Sequence, residues 1–308
     1  MSKAAFVFPG QGSQALGMLA DIAATTPLIE LTFAEASEGL GYNLWDLVQN
    51  DEKKLNQTQY TQPALLTASI AVWRLWLEKG GEKPAFLAGH SLGEYSALVA
   101  SGVLSLKDAA ALVQARGEFM QAAVPAGTGK MAAIIGLDDD KVRQACADSA
   151  NGEVVEAVNY NSPGQVVIAG SADAVDRAME ACKEAGAKRA LPLPVSVPSH
   201  CALMKPAAEK LAERLETINF NNPDIPVINN VDVSAEATAD AIKDALIRQL
   251  YNPVRWTETV QRLKDEGVET LYECGPGNVL CGLAKRIDRA LAGKPLGTLD
   301  KFEAALAD

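Results

Sequence analysis

Apolar strand patterns and amphipathic helix patterns alternate along the first 124 residues. The apolar run AAFVF (4–8) precedes a glycine-rich turn, helical patterns continue through Ala68, and AFLAG (85–89) predicts a second strand followed by more helix. Such alternation is typical of a parallel sheet covered by helices. We therefore predict an α/β fold for this part of the chain.

The pattern changes after VPAGTG (124–129), which supplies one proline and two glycines. The order that follows is strand MAAIIGL, helix DDDKVRQACADSA, strand VVEAVNYN, turn SPGQ, strand VVIAGS, helix ADAVDRAMEACKEAG and strand AKRALPLPV. This βαββαβ order is the ferredoxin-like signature. It predicts a small inserted domain over residues 125–197.

The first pattern returns after the small domain. ALMKPAAEKLAERLET predicts a helix, and IPVINNV, VETLYECG and PLGTLD predict strands separated by helices. The large α/β domain is thus expected to be discontinuous, comprising residues 1–124 and 198–308.

Composition is that of an ordinary globular enzyme. Hydrophobic residues make up 48% of the 308 residues and charged residues 22%, which is wrong for a disordered chain. No apolar run approaches the roughly 20 residues of a membrane span, and the five-residue run AAFVF near the amino terminus is too short for a signal-peptide core. We expect a cytoplasmic protein.

Charge and cysteine content argue against several further classes of protein. A formal net charge of −11 argues against nonspecific binding to nucleic acid or to an anionic membrane. The five cysteines are odd in number and lack CxxC pairs, so they indicate neither a disulfide framework nor a zinc site. We expect no metal and no bound cofactor.

Ser91 is the candidate nucleophile. Gly89-His90-Ser91-Leu92-Gly93 fits G-x-S-x-G, with a predicted strand before it and a predicted helix after it. That context is required by the strained turn that exposes the serine in α/β-hydrolase-like folds, and the helix N-terminus favours an oxyanion. The alternative is a serine that only caps the helix.

A serine nucleophile needs a base, and the chain has two histidines. His90 adjoins Ser91, and neighbours at a tight turn point apart. His200 remains, at the junction where the small domain returns to the large one, a place where clefts form. Cys201 as a thiol nucleophile is disfavoured by its adjacency to His200. No acidic third member stands out, and a backbone carbonyl could orient the imidazole instead.

Arg116 falls on the apolar side of a predicted helix over residues 105–123, together with Val113 and Met120. A guanidinium facing a core is costly unless an anion meets it. A structural ion pair or a side chain that reaches solvent would explain the position equally well. With a nucleophile 25 positions earlier, the sharper hypothesis is a site for a substrate carboxylate.

FPGQGSQALG (8–17) follows the first strand and is rich in glycine. It lacks the G-K-[ST] ending of a phosphate-binding loop and does not fit G-x-G-x-x-G, so nucleotide binding is a weak interpretation. We expect this loop to lie beside the serine turn and to donate an N–H, that of Gln11, to an oxyanion hole. The alternative is a tight turn that needs glycine for its conformation alone.

Together these features resemble the malonyl-CoA:acyl carrier protein transacylases of bacterial fatty acid synthesis. The resemblance spans almost the whole chain, and the motifs that carry it are FVFPGQGSQ, TQPALLTAS, GHSLGEYSALVASG, RGEFMQ, NSPGQVVIAG, PVSVPSH, QLYNPVRW and ECGPGNVL.

The resemblance implies a role for each candidate. Ser91 would accept the malonyl group from coenzyme A, with His200 as base, in a ping-pong reaction with the phosphopantetheine thiol of acyl carrier protein. The N–H groups of Leu92 and Gln11 would form the oxyanion hole, and Arg116 would pair with the malonyl carboxylate. The backbone carbonyl of Gln249 would orient the histidine, consistent with the missing acid.

One position departs from related polyketide acyltransferases. Malonyl-selecting members of that group often have phenylalanine before the histidine, where this chain has Ser199. The discrete bacterial transacylases often have serine there, so malonyl remains the expected group.

Two further expectations concern partners. An acidic carrier protein would need a local basic patch, for which Lys188 with Arg189 and Lys285 with Arg286 are candidates; solvated surface charge is the simpler explanation for either pair. We expect a monomer. The competing functions are a serine hydrolase and a catalytically silent carrier-protein binder, and the second is disfavoured because Ser91 and His200 are both present.

Overall fold

The computed structural model describes residues 3–195 and 197–308. Met1, Ser2 and Ser196, which fall within the predicted domain ranges, lie outside the described residues. The strands are β1 (Lys3–Phe8), β2 (Phe86–Gly89), β3 (Gly129–Ile135), β4 (Val155–Ser162), β5 (Gln165–Ser171), β6 (Arg189–Pro192), β7 (Val227–Ile228), β8 (Val268–Glu273) and β9 (Ala292–Pro295).

The helices cover both sides of one sheet and one side of another. They are α1 (Ala20–Ala23), α2 (Leu28–Leu40), α3 (Leu44–Asn50), α4 (Glu52–Leu55), α5 (Thr58–Glu78), α6 (Gly93–Ala100), α7 (Leu106–Ala123), α8 (Asp139–Ser149), α9 (Ala172–Glu184), α10 (Lys205–Glu216), α11 (Ala239–Gln249), α12 (Trp256–Asp265), α13 (Val279–Ile287) and α14 (Leu299–Ala307). A 3₁₀ turn, Ala202–Met204, precedes α10. No helix of the described residues is both long enough and apolar enough to cross a membrane.

The larger sheet has five strands in the order β7-β2-β1-β8-β9, and all its pairings are parallel. Alternate residues of β1 face opposite sides: Phe6 and Phe8 enter one apolar core, and Ala5 and Val7 enter another. Burial on both faces explains why residues 4–8 of β1 are all apolar. Because β1 and β2 are neighbours, the loops that follow them meet at the same edge of the sheet.

The second sheet is antiparallel, with the order β4-β5-β3-β6. Its elements follow one another as strand, helix, strand, strand, helix, strand. α8 and α9 cover one face with their own apolar core. On the other face Met131, Val158, Val167 and Ala169 pack with Cys201 of the following segment. The molecule is therefore a mixed α/β protein with a parallel sheet and a separate small antiparallel sheet.

Backbone hydrogen bonds tie the small sheet to the rest of the chain. Tyr160 N–H donates to the carbonyl of Val254 at 3.0 Å, and Val254 N–H donates to the carbonyl of Val158 at 2.8 Å. The edge strand β4 is thus paired with the segment between α11 and α12. This pairing fixes the position of β4, whose Asn159 lines the cleft that contains Ser91.

Two strand predictions were wrong in extent. AKRALPLPV was predicted as strand over residues 187–195, but β6 ends at Pro192; Leu193 N–H still donates to the Met131 carbonyl at 2.9 Å, and Pro194 has no N–H to continue the ladder. PLGTLD was predicted as the last strand, but β9 is Ala292–Pro295 and α14 begins at Leu299. The pairing of AGKP with β8 supplies the extended conformation that its own propensity does not.

Helix α6 passes so close to the end of β1 that its first residue must be glycine. A Cβ at Gly93 would collide with the carbonyl oxygen of Phe8, whereas a Cβ at Gly282 in α13 would meet nothing within 4 Å. We predict that Gly93→Ala lowers the free energy of unfolding by about 2 kcal/mol or more. Gly282→Ala, the matched helical control, should be neutral or stabilising by about 1 kcal/mol.

Urea unfolding followed by circular dichroism measures both changes. Equal stabilities for the two variants would contradict the close approach of α6 to β1.

Candidate active site

Ser91 lies at a sharp turn between β2 and α6 and has a left-handed backbone, with φ of 52°. Asn230, just beyond β7, holds this turn from behind: its Nδ2 donates to the carbonyl of Gly89 at 2.6 Å, and its Oδ1 accepts from Ser91 N–H at 2.8 Å. A non-glycine residue in this conformation is strained and persists where its surroundings enforce it. The hydrogen bonds of Asn230 provide that enforcement and leave the hydroxyl facing the cleft.

His200 meets the serine. Its Nε2 is 2.7 Å from Ser91 Oγ, and its Nδ1 is 2.7 Å from the backbone carbonyl of Gln249. A carbonyl only accepts hydrogen bonds, so Nδ1 carries the hydrogen and the neutral ring presents the lone pair of Nε2 to the serine hydroxyl. The arrangement can take a proton from Ser91 without a carboxylate partner.

The environment keeps this imidazole neutral. Burial, together with the positive charge of Arg116, lowers the pKa of His200 to about 3, and the hydrogen bond to Gln249 offsets only part of this effect. His200 is 3% exposed. It is therefore in the basic form throughout the neutral pH range.

Arg116 is on α7, as the sequence pattern predicted, and is 1% exposed. Its Nη1 donates to Gln62 Oε1 at 2.8 Å, and its Nη2 donates to Gln249 Oε1 at 3.0 Å and to Ser91 Oγ at 3.3 Å. Its guanidinium also lies over the ring of Tyr95, 5.3 Å from the centroid. Nε has no hydrogen-bond partner in the described part of the chain.

No carboxylate within residues 3–195 and 197–308 forms an ion pair with Arg116. The structural ion pair that the sequence left open is therefore absent from the described residues. Burial lowers the pKa of Arg116 from its usual high range. A buried, hydrogen-bonded guanidinium without a paired anion is a strong attractor for a carboxylate that enters the cleft.

Gln249, at the end of α11, joins these groups. Its backbone carbonyl receives His200 Nδ1, its Oε1 receives Arg116, and its Nε2 donates to the carbonyl of Ser91 at 3.0 Å and to Glu94 Oε2 at 2.9 Å. The side chain is fully buried. One residue thus contacts the predicted nucleophile, base and carboxylate site at once.

Gln11 and Leu92 line the same cleft as Ser91. Among the described residues, neither backbone N–H donates a hydrogen bond to a protein group. Leu92 immediately precedes α6, so its N–H is at the positive end of the helix. Both amides are free to receive an oxygen that develops negative charge beside Ser91.

The cleft itself has a volume of about 110 Å³ and lies between the two sheets. Ser91, Arg116 and Met120 line it from the large unit, while Met131 and Leu193 line it from the small one. Ser199 also lines it. Apolar side chains from both units thus share the lining with Ser91, His200 and the charged Arg116.

The other histidine and the neighbouring cysteine have different surroundings. His90 Nε2 is 2.7 Å from Asn161 Oδ1, so it bonds to β4 and not to Ser91. Cys201 is buried and donates to the carbonyl of Pro198 at 3.1 Å. Burial raises the pKa of the Cys201 thiol to about 12, which makes it a poor nucleophile.

Sequence reasoning assigned no role to several site residues. Gln62 is a buried amide in the apolar helix α5, Asn230 follows the short apolar strand β7, and Glu94 is a carboxylate on the buried side of α6. The signal for each was a polar residue within an apolar run. The hydrogen-bond partners of these three residues could not be predicted from the sequence, because each contact joins residues that are 54 to 155 positions apart.

No group of three or more His, Cys, Asp and Glu side chains in the described ranges is arranged to hold a metal ion. The five cysteines are free thiols. The cleft brings together a serine, a neutral imidazole and a guanidinium, with the backbone amides of Gln11 and Leu92 beside them.

Comparison with known proteins identifies the family. The acyl transferase domain matches residues 5–291. The sequence is 62% identical over 307 residues to the malonyl CoA-acyl carrier protein transacylase of Escherichia coli strain K12, covering 99% of each chain. The chain belongs to the malonyl CoA-acyl carrier protein transacylase family.

Solved structures of this transacylase family agree closely with the fold. The acyl carrier protein S-malonyltransferase of Vibrio cholerae is 64% identical, with a TM-score of 0.97 over 99% of this chain and 100% of that one. A malonyl-transacylase solved in complex with a type II PKS acyl-carrier protein is 60% identical, with a TM-score of 0.98 over 99% of both chains. As a member of this transacylase family, the chain is an acyltransferase.

We predict that the His200 imidazole stays neutral from pH 8 to pH 5, because its pKa is lowered to about 3. The proton NMR signal of this ring, assigned by its loss in His200→Gln, should not shift in this range. In Arg116→Ala the signal should begin to titrate at a higher pH, because one of the charges that disfavours the imidazolium is gone. Titration of wild-type His200 near its ordinary value of about 6.5 would contradict the assignment.

The sign of the linked stability change follows. Below pH 6.5 or so the unfolded chain binds a proton at this histidine, whereas the folded chain does not until the pH nears the lowered value. As the pH falls from about 6.5 toward the lowered pKa of His200, this histidine therefore lowers the free energy of unfolding of the protein. His200→Gln should reduce that acid sensitivity, as measured by urea unfolding at pH 7 and pH 5.

Proposed function

We propose that the protein transfers the malonyl group from malonyl-CoA to the phosphopantetheine thiol of acyl carrier protein through a malonyl-Ser91 intermediate. The observation that carries this proposal is the buried Arg116, which forms no ion pair within the described residues and lies beside the Ser91–His200 pair. A serine and a base alone would suit many esters. A guanidinium at the base of an apolar cleft selects an acyl group that ends in a carboxylate.

In the first half-reaction His200 Nε2 takes the proton of Ser91 Oγ as that oxygen attacks the thioester carbonyl. The carbonyl oxygen becomes an oxyanion, which the N–H groups of Leu92 and Gln11 bind. When the tetrahedral intermediate collapses, the carbon–sulfur bond breaks and the proton on His200 goes to the coenzyme A thiolate. Malonyl-Ser91 and free coenzyme A result.

The second half-reaction runs the same steps with the carrier protein. His200 takes the proton of the phosphopantetheine thiol, and the sulfur attacks the malonyl ester. The Ser91 carbon–oxygen bond breaks, and Oγ recovers its proton from the imidazole. Arg116 holds the same carboxylate in both halves, so that the acyl carbon stays within reach of each nucleophile. No bound cofactor takes part.

The arrangement of the chain supports a domain assignment. We propose that residues 125–197 form a ferredoxin-like domain inserted into an α/β-hydrolase-like catalytic domain of residues 1–124 and 198–308. The strand order of the antiparallel sheet supports the first part, and the parallel sheet with a serine turn after β2 supports the second. The insertion supplies a wall of the cleft that a plain hydrolase would lack.

Docking of an acidic carrier protein is proposed at a basic pair. Lys188 with Arg189 and Lys285 with Arg286 are all exposed. The first pair lies at the start of β6, whose continuation through Leu193 lines the cleft. This continuity favours the first pair, since the phosphopantetheine arm must reach Ser91 from where the carrier binds. We propose that the enzyme acts as a monomer in the cytoplasm.

The test of this function is the intact mass of the protein after brief incubation with malonyl-CoA. We expect one malonyl adduct on the wild type, none on Ser91→Ala, and loss of the adduct when acyl carrier protein with its phosphopantetheine arm is added. The carrier should gain the same mass. An adduct that decays equally fast without the carrier would instead indicate a serine hydrolase, and no adduct would overturn the proposal.

We also predict that Arg116→Ala lowers the rate of malonyl transfer by about 100-fold, because a buried charge-assisted contact to the carboxylate is lost. Acetyl transfer, which needs no such contact, should be unchanged or faster. Carrier acylation by malonyl-CoA and by acetyl-CoA measures both rates. An equal fall for the two substrates would show that Arg116 does not select the carboxylate.

A further inference from the structure

Glu94 is a buried carboxylate behind the serine turn. It lies on the first turn of α6, three residues after Ser91, and is 2% exposed. It does not line the cleft. Its Oε2 accepts two hydrogen bonds, from the backbone N–H of Asn230 at 3.0 Å and from Gln249 Nε2 at 2.9 Å. Burial of such a group is costly, so its placement requires a reason.

The first partner of Glu94 is the residue that holds the serine turn. Asn230 contacts both Gly89 and Ser91 through its side chain. Its backbone N–H, which would otherwise be buried without an acceptor, is fixed by Glu94. Glu94 thereby fixes the position from which Asn230 holds the strained backbone of Ser91.

The second partner is the amide of Gln249, whose orientation matters. With Nε2 toward Glu94, Asn230 Oδ1 and the Ser91 carbonyl, Oε1 faces the guanidinium of Arg116. The reversed amide would place Oε1 against three oxygen acceptors and an NH₂ group against a cation. An ionised carboxylate oxygen at this point accepts hydrogen bonds and cannot donate one to Gln249, so it selects one orientation of the amide.

We propose that Glu94 is a positioning residue for acyl transfer. By fixing the amide of Gln249 and the backbone of Asn230, it keeps the guanidinium of Arg116 and the hydroxyl of Ser91 at a fixed position relative to each other. This inference rests on the proposed malonyl transfer. It assigns selectivity for the carboxylate partly to a residue that touches neither substrate nor the reacting atoms.

The test compares Glu94→Gln and Glu94→Ala. Glutamine can place its Oε1 where Glu94 Oε2 lies and keep both hydrogen bonds, with its NH₂ toward the small gap beside Asn229 and Glu236. Alanine removes both. Glu94→Asp keeps the charge but withdraws the oxygen by one methylene, and it serves as the second disrupting variant if Glu94→Ala does not fold.

The matched control is Glu273→Ala. Glu273 is also fully buried and also accepts from two backbone N–H groups, those of Leu280 at 3.1 Å and Cys281 at 2.9 Å, but it is the last residue of β8 and does not line the cleft. It controls for the loss of a buried carboxylate that has no link to Arg116.

The readout is the ratio of the malonyl transfer rate to the acetyl transfer rate, with acyl carrier protein as acceptor. The thermal unfolding midpoint of each variant is measured as well, to show that the protein is folded. We expect Glu94→Ala to lower this ratio about tenfold or more, chiefly through the malonyl rate, and Glu94→Asp to lower it less. Glu94→Gln should stay within about threefold of wild type. Glu273→Ala should lose thermal stability and keep the ratio.

Two results would overturn the inference. An unchanged ratio in Glu94→Ala or Glu94→Asp would leave Glu94 a purely structural residue, and an equal loss in Glu94→Gln would assign the effect to charge and not to positioning. Absence of malonyl transfer by the wild-type enzyme is a separate result, and it would overturn the proposed function itself.

Discussion

The burial of the Arg116 guanidinium is the constraint on which the rest of the site depends. Removing a cation from water costs several kcal/mol, which amide oxygens and an aromatic face repay only in part. Here the guanidinium is stabilised by hydrogen bonds to Gln62 and Gln249 and by the ring of Tyr95, and it forms no ion pair with a carboxylate among the described residues. The remaining attraction for an anion is directed at the cleft. The proposed preference for malonyl groups follows from this incomplete compensation.

The same cation affects the base. Its charge, added to burial, keeps His200 neutral, and a neutral imidazole is the form that can take the proton of Ser91. Gln249 couples the two effects, since one residue orients the ring through its carbonyl and the guanidinium through its side chain. The network therefore does without an acid in the third position of a triad. A carboxylate in direct contact with Arg116 would neutralise the charge that the substrate is proposed to meet; the charge of Glu94 also acts on Arg116, but the amide of Gln249 lies between the two groups.

Much of this could be predicted from the sequence. The alternation of strands and helices indicated the parallel sheet, the G-x-S-x-G context placed Ser91 after β2, and helical periodicity placed Arg116 on a buried face, because each of these signals is local. The extents of β6 and β9 were wrong because pairing and proline decide them. Glu94, Asn230 and Gln62 had no assigned role because the partners of a buried polar group are set by tertiary contacts.

The most direct test of the central claim compares malonyl-CoA with acetoacetyl-CoA as donors in a single turnover. The two acyl groups have the same number of heavy atoms and differ in that a methyl group replaces a carboxylate oxygen. Because the guanidinium of Arg116 is proposed to bind that carboxylate, acylation of Ser91 by malonyl-CoA should be faster by about 100-fold or more. Equal rates for the two donors would contradict the account, because the buried cation would then contribute nothing to the choice of substrate.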